Sequence, residues 1–378
     1  MIVKIGDVIS EYSVRNKFDE NIPVYSVTNE KGFCTGYFSK EVASKDKSTY
    51  KIVPRGYFAY NPSRINVGSV DWQKYEDRVI VSPLYVVFGV SDRLDRQYLL
   101  HYLKSDMMLS FIKEYATGSV RDNLKLADLG KFPINLRPVE EQRQIATTLD
   151  KIDDLIAKRR QQLDKLDELV KSRFVEMFGD PLDEGCIYQK VPLGVVADVG
   201  SSKRIFEKEY VSRGIPFYRT KEIVELSKGH NVTTELFITK ERFAEICDEY
   251  GAPQKGDLLI SAVGTIGVIW IVDGKNDFYF KDGNLLRVSV SKKFNPVYLK
   301  MLLETLIAAH KHKMSVGTAY AALTISMLKG MKVYLVPIDE QNQFAAFVAQ
   351  TDKAKLAIQK GLEKLETLKK ALMQKYFG

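Results

Sequence analysis

The sequence predicts an α+β chain: two mixed α/β globules separated by two long antiparallel coiled-coil helices, arranged as a pseudo-two-fold internal repeat. Three observations carry this. The stretch RPVEEQRQIATTLDKIDDLIAKRRQQLDKLDELVKSRFVEMFG, ending at Gly179, recurs as VPIDEQNQFAAFVAQTDKAKLAIQKGLEKLETLKKALMQKYFG, ending at Gly378. Pro138/Pro337, Glu141/Glu340, Gln142/Gln341, Leu169/Leu368, Phe178/Phe377 and Gly179/Gly378 are all 199 positions apart, so no insertion interrupts the copy. Both copies carry an apolar heptad stripe, and the segments before them are rich in strand-like runs and turn clusters.

Globule one covers residues 1–137. Strands are expected at Tyr57–Tyr60, Val79–Val81 and Leu84–Val90, with the turn clusters NPSR and NVGSVD between them, followed by a helix over Arg96–Tyr115. Residues 138–179 form the first long helix. Ile145, Leu149, Ile152, Ile156, Leu163, Leu166, Val170 and Met177 follow heptad spacing, with Arg159 and Arg173 on the same stripe. Pro138, Glu140 and Glu141 suit the positive end of a helix dipole, and Gly179 followed by Pro181 stops the helix.

Globule two, residues 180–336, repeats this order loosely. Gly56 and GYFAY correspond to Gly256 and GDLLI, Tyr98-Leu99 to Tyr298-Leu299, and VKIGDVI to VPLGVVADV. The apolar run Leu258–Val272 reads as two buried strands around a glycine turn and is too short to span a membrane. Residues 337–378 form the second long helix, with Phe344, Val348, Thr351, Ile358, Leu362, Leu365, Leu372 and Tyr376 on the stripe and Lys355 and Lys369 interrupting it. The first long helix ends where globule two begins, and the second begins where it ends. Domain termini usually lie close together, so the helices are expected to run antiparallel. At 1.5 Å per residue they make a rod of about 60 Å with a globule at each end.

The bulk properties fit. A chain of 378 residues, 45% hydrophobic and 28% charged, is a soluble folded protein too long for one ordinary core. A net charge of +8 favours an acidic partner, nucleic acid being the commonest. Cys34, Cys186 and Cys247 are scattered, which argues against disulfides and a zinc site and suits a reducing cytoplasm. His310 and His312 lie two apart in HKHK and read as a solvated basic segment; no metal is expected. The N-terminus lacks the apolar core of a signal peptide.

Two different basic globules on a stiff rod suit a long polyanion read at two separated patches, and a duplex presents the same face about every 34 Å. Candidate DNA contacts lie in glycine-punctuated loops. Globule one offers Asn61, Ser63, Arg64 and Asn66, then Ser119, Arg121, Asn123 and Lys125. Globule two offers Ser201, Ser202, Lys203 and Arg204, then Tyr218, Arg219, Thr220 and Lys221, then Ser261, Thr265, Thr318 and Tyr320. Arg, Asn and Lys bond base edges or neutralise phosphate, while Ser, Thr and Tyr mostly anchor phosphate.

No catalytic residue is assigned. Asn61-Pro62-Ser63-Arg64 is similar to the Asn-Pro-Pro-aromatic loop of adenine methyltransferases, but Ser63 and Arg64 replace the second proline and the aromatic. No strand–GxG–helix unit precedes it to hold a methyl donor. Gly264–Gly267 is too short for a phosphate loop and lacks the following lysine.

The order globule–helix–globule–helix, with PVEEQRQIA at Pro138–Ala146 and PIDEQNQFA at Pro337–Ala345, resembles the specificity subunit of Type I restriction-modification systems. GIPFYRTKEI (Gly214–Ile223), LLISAVGTIG (Leu258–Gly267) and MFGDP (Met177–Pro181) resemble further segments of that family. The resemblance implies that each globule is a target-recognition domain reading one half-site of double-stranded DNA. It implies that the helices are spacers docking two methyltransferase subunits, with restriction subunits joining through them. The chemistry, adenine-N6 methylation with S-adenosylmethionine, would then belong to the partners, and this chain would hold no cofactor. Longer members begin with an extension before globule one, so here the free end of the second long helix is expected to pack near globule one.

Two other readings are a methyltransferase or nuclease in one chain with its recognition domains, and a coiled-coil adaptor that binds no DNA. The first needs roughly 250 more residues for a catalytic domain. Salt-sensitive, specific DNA binding separates recognition from the second.

Overall fold

The computed structural model describes residues 1–36, 46–116, 123–183, 185, 187–314 and 322–378. It forms two compact units, Met1–Gln161 with Gln359–Gly378, and Gln162–Ile358. The divide falls inside the long helices, so each unit contains one globule and a stretch of both helices.

The first unit is built on a four-stranded antiparallel sheet in the order Ile9–Glu11, Val86–Val90, Phe58–Tyr60, Val70–Trp72. Phe58 faces Phe88 across the central pair, with their rings stacked at 5.0 Å. A separate ribbon pairs Lys51–Pro54 with Arg78–Val81, and a hairpin pairs Ser26–Thr28 with Gly32–Cys34. The second unit repeats the sheet: Asp198–Gly200, Leu285–Ser289, Leu258–Ser261, Ile269–Ile271, all antiparallel. Its additions differ. A three-stranded sheet places Ile215–Tyr218 between Phe237–Ile238 and Tyr279–Phe280, and the helices Thr220–Ser227 and Lys240–Tyr250 are inserted around it. The expected strand pair around a glycine turn is Leu258–Ser261 with Ile269–Ile271, and Gly264 and Gly267 hold positive φ between them. Gly56 and Gly256 open equivalent strands with φ of 85° and 93°, each donating its N–H to the neighbouring strand end.

The helix expected over Arg96–Tyr115 is two helices, Arg96–Leu103 and Asp106–Ala116. Ser105 breaks it. Its hydroxyl donates to the Tyr102 carbonyl at 2.7 Å and accepts the Met108 N–H at 3.2 Å, offering the backbone a cap in place of a continuous turn. The equivalent Pro296–Met314 is unbroken over 19 residues: at the matching position the Thr305 hydroxyl donates to the Met301 carbonyl four residues back, at 3.1 Å, and caps no new turn.

The long helices are Val139–Phe178 and Ile338–Phe377, 40 residues each. Gly179, at φ 80°, ends the first by returning its N–H to the Val175 carbonyl. Within each unit the two helices are antiparallel: Asp153 pairs with Lys369 and Arg160 with Glu366 in the first unit, Asp167 with Lys355 in the second. The lysines that interrupt the heptad therefore sit at the seam opposite carboxylates of the other helix. In the first unit Ile145, Leu149, Ile152, Ile156 and Leu362 are buried, and Leu365 and Leu372 half-buried. In the second, Phe344 and Val170 are buried, while Val348, Ile358, Leu163 and Leu166 are half-buried.

The repeated helix motifs have one structural meaning in both units. Gln142 is fully buried; its Oε1 accepts the Asp95 N–H at 2.8 Å, and its Nε2 donates to the carbonyls of Arg93 and Arg137 at 2.9 and 2.7 Å. Gln341 does the same, accepting from Asn295 at 2.8 Å and donating to Lys293 and Val336 at 3.0 and 2.8 Å. The closing Phe is a packing group. Phe377 lies against Tyr98 and Tyr102 at 5.1 and 5.6 Å, so the last turn of the second helix packs on globule one. Phe178 lies against Tyr298 at 4.9 Å in the second unit. A polar chain also runs to the first long helix: Trp72 Nε1 donates to Gln97, Gln97 to Asp150 at 2.6 Å, and His101 meets Asp150 at 2.8 Å.

Candidate nucleic-acid interface

The loop contributors of globule one come together. The Leu124 N–H donates to the Pro62 carbonyl at 3.1 Å, and Tyr60 Oη donates to the Leu124 carbonyl at 3.0 Å. This sets Asn123 and Lys125, both exposed, beside the loop of Asn61, Ser63, Arg64 and Asn66. Asn61 Oδ1 accepts from the N–H and hydroxyl of Ser63 at 3.1 and 2.9 Å, so this pair mainly shapes the turn. Asn66 is half-buried, and Arg64 is exposed. Asn61 and Arg64 line a polar cleft of about 40 Å³ with Thr28, Asn29, Ser69 and Tyr85.

Sequence reasoning missed Lys51 and Arg15. Lys51 Nζ donates to the Tyr85 carbonyl at 2.7 Å, and Arg15 forms a backbone bridge with Lys51. Burial lowers the Lys51 pKa, with Glu11 opposing the shift and Arg15 reinforcing it. Lys51 lies within a strand, so no turn signal marked it. Ser119 and Arg121 lie outside the described residues.

Globule two repeats the junction. The Leu323 N–H donates to the Ala262 carbonyl at 2.9 Å, at the positions that match Leu124 and Pro62. Thr265 is exposed on that loop, while Thr318, Tyr320 and Cys186 lie outside the described residues. Ser261 departs from the expected contact set. It is fully buried, its hydroxyl donates to the Thr265 carbonyl and accepts the Val268 N–H at 2.9 Å, and it holds the glycine turn closed from inside. Tyr218 is likewise a core residue, stacked on Phe278 at 4.9 Å, and burial raises its pKa.

The other residues of globule two remain at the surface. Lys203 and Arg204 are exposed. Lys203 Nζ lies 2.9 Å from Tyr250 Oη, a hydrogen bond that raises the lysine pKa, and Arg204 pairs with Asp282 at 2.8 Å. Ser201 bridges the Leu285 carbonyl and the Gly283 N–H. Arg219 caps the helix Thr220–Ser227 with Glu222, which raises the guanidinium pKa; Thr220 is half-buried and Lys221 exposed. Ser202 Oγ and Arg219 Nε are shut from solvent without a hydrogen-bond partner. Most buried side-chain polar atoms find a hydrogen-bond partner, so these two stand out.

A broader cleft of about 680 Å³, invisible to sequence reasoning, is lined by Cys247, Gln254, Lys255, Asn276, Asp277 and Arg287 among others. His310 is not solvated as expected: its Nε2 is buried without a partner, beside Ile307 and Leu323. Among the described residues no cluster of His, Cys, Asp and Glu could hold a metal ion, and no helix is long and apolar enough to cross a membrane.

Two copies of one sheet-and-helix scaffold, with divergent loops at the same corner, define a tandem chain whose halves share a framework and differ in what they present. This chain belongs to the Type I restriction modification DNA specificity domain family, whose model matches residues 2–168 and 188–369. It is 29% identical over 286 residues to a Haemophilus influenzae protein described as a type I restriction enzyme specificity subunit, covering 74% of this chain and 70% of that one. It is 22% identical over 300 residues to the type I restriction enzyme MjaVIII specificity subunit of Methanocaldococcus jannaschii, covering 74% and 69%. The fold is that of the type I restriction-modification S subunit from M. genitalium, with TM-score 0.56, 16% identity, and coverage of 100% of this chain and 96% of that one. It also matches a chain from a structure on complex assembly and conformational transition of a type I restriction-modification system, with TM-score 0.58, 20% identity, and coverage of 100% and 97%. Members of this specificity family are generally non-catalytic, and DNA-sequence recognition is the role the family implies.

Proposed function

We propose that this chain reads a bipartite, asymmetric site on double-stranded DNA, one half-site per globule, with a spacer set by the length of the two long helices. It docks two adenine-N6 methyltransferase subunits, and restriction subunits through them, in the cytoplasm. S-adenosylmethionine belongs to the methyltransferase partners, and the target adenine is extruded into their pocket because chemistry on a paired base requires it.

The observation that carries this reading is the repeated loop junction. Leu124 to Pro62 and Leu323 to Ala262 join two glycine-punctuated loops at the same corner of both scaffolds, while the residues those loops offer differ. A shared framework with different side chains is what two unlike half-sites ask for. The exposed cations Arg64, Lys125, Lys203 and Lys221 supply phosphate neutralisation.

The test is a salt titration of binding by the purified chain with its methyltransferase subunits, on a duplex carrying the sequence methylated in the source genome. Site-specific affinity should fall steeply with salt, by about 0.9 log unit per phosphate contact for each tenfold rise. Arg64→Ala should weaken binding and flatten that slope. Indifference to DNA at all salt concentrations would favour a coiled-coil adaptor. Methylation by the purified chain alone would favour a single-chain enzyme.

A further inference from the structure

The most exposed aromatic of each globule's first loop stands at the same sequence separation from its counterpart as the strands that precede it. Gly6 and Gly194 are 188 positions apart and make the same close approach, Gly6 to Gly130 and Gly194 to Lys329. Phe18 and Phe206 are also 188 positions apart, as are Arg15 and Lys203 three residues earlier. Phe18 is 88% exposed and Phe206 56%. One exposed phenylalanine is ordinary on a protein surface. Two at the same separation, each preceded three residues earlier by a cation, make a recurring feature of the repeat.

Both loops are closed by hydrogen bonds around the exposed phenylalanine. In globule one, the buried Asn16 closes the loop by donating to the Glu20 carbonyl at 2.9 Å and accepting the Glu20 N–H at 3.0 Å. Asp19 is the one non-glycine residue with positive φ among the described residues, at 49°, and its carboxylate accepts the Lys47 N–H at 3.0 Å. In globule two the bracing uses other residues. Glu209 accepts the Phe206 N–H at 2.7 Å, returns its own N–H to the Phe206 carbonyl at 2.9 Å, and is fixed by Arg242 at 2.9 Å. Different hydrogen bonds thus close the two loops, and the ring is exposed in each. Ordering a loop costs backbone entropy, and here it is spent in both copies around an apolar ring left in water.

We infer that Phe18 and Phe206 are wedge residues, each inserting its ring into the base stack of one half-site of the bound duplex. Apolar side chains that enter a base step unstack it and kink the helix, and the adjacent cation neutralises the phosphate brought close. Stacking is tolerant of base identity, so a phenylalanine can be common to two globules that read different sequences. This rests on the DNA-recognition reading above.

The experiment uses the chain with its methyltransferase subunits and a site duplex carrying 2-aminopurine at successive positions. Wild-type binding should change the fluorescence at one step in each half-site. Phe18→Ala should abolish the change in one half-site only, Phe206→Ala in the other, each weakening affinity about tenfold, while Phe→Trp at either position retains both. Melting temperatures should be unchanged, since both rings are exposed. If both alanine variants bind and unstack like wild type, the wedge role is overturned and the recognition reading stands. If they lose the methyltransferase subunits while DNA binding by the chain is intact, the rings face protein and the role is equally overturned. If wild type shows no site-specific binding, the recognition reading itself falls, and the wedge with it.

Discussion

The side-chain carbonyl of Gln142 accepts the backbone N–H of Asp95 at 2.8 Å, tying the first turn of the first long helix to the cap of the helix Arg96–Leu103. Because Gln142 is fully buried and also satisfies two carbonyls, its loss strands three polar groups. Gln142→Ala should destabilise the first unit by about 2–3 kcal/mol, seen as a lower urea midpoint, and Gln341→Ala should do the same in the second. Gln142→Glu should be at least as damaging near neutrality, because a carboxylate cannot donate to the carbonyls of Arg93 and Arg137. Its deficit should shrink as acid protonates it.

Phe377 and Phe178 are buried against Tyr98 and Tyr298 in their respective units. Replacing either with alanine should cost about 3–5 kcal/mol. Native-state hydrogen exchange should place the loss of Phe377 on the helix Arg96–Leu103 and that of Phe178 on Pro296–Met314. A uniform loss over both units would contradict the pairing.

Burial disfavours the charged form of Asp150, but the hydrogen bonds from His101 and Gln97 outweigh it and hold the carboxyl below its ordinary value. A depressed folded-state pKa means the unfolded chain takes up the proton first as pH falls. The stabilisation is complete above the ordinary carboxylate range, near pH 4, and is lost as pH drops through the lower folded value. Asp150→Asn should therefore be less stable than wild type at pH 7, and the gap should narrow below about pH 4 in urea denaturation series. A gap independent of pH would contradict the charge-based account.

Inserting one turn in both long helices, at Arg159–Arg160 and Lys360–Gly361, should lengthen the spacer of the methylated site and leave both half-sites unchanged. Sequencing modified adenines in cells that carry the variant reads this directly. New half-sites with an old spacer would argue against helix length as the ruler.

The long helices were legible because their signals are local: heptad spacing, Pro with acidic residues at the start, Gly179 at the stop. Their pairing was legible because connectivity alone constrains direction. The partners of Gln142 were not, since Asp95 lies 47 residues away and meets it only through the packed globule. The break at Ser105 was hidden because a single hydroxyl competes with an otherwise helical pattern. Nearby glycines and polar neighbours make Tyr218 and Ser261 read as loop residues, yet both close the ends of buried strands. Phe18 and Phe206 give no local signal, because their loops correspond at a separation of 188 residues and the long helices at 199.

The placement of Phe377 has a consequence for synthesis. The second unit is one uninterrupted segment, whereas the first borrows Gln359–Gly378 from beyond it. A ribosome making this protein therefore finishes the second unit's sequence while the first still lacks one wall. The half begun earlier closes after the other, once the helix that carries Phe377 has left the exit tunnel.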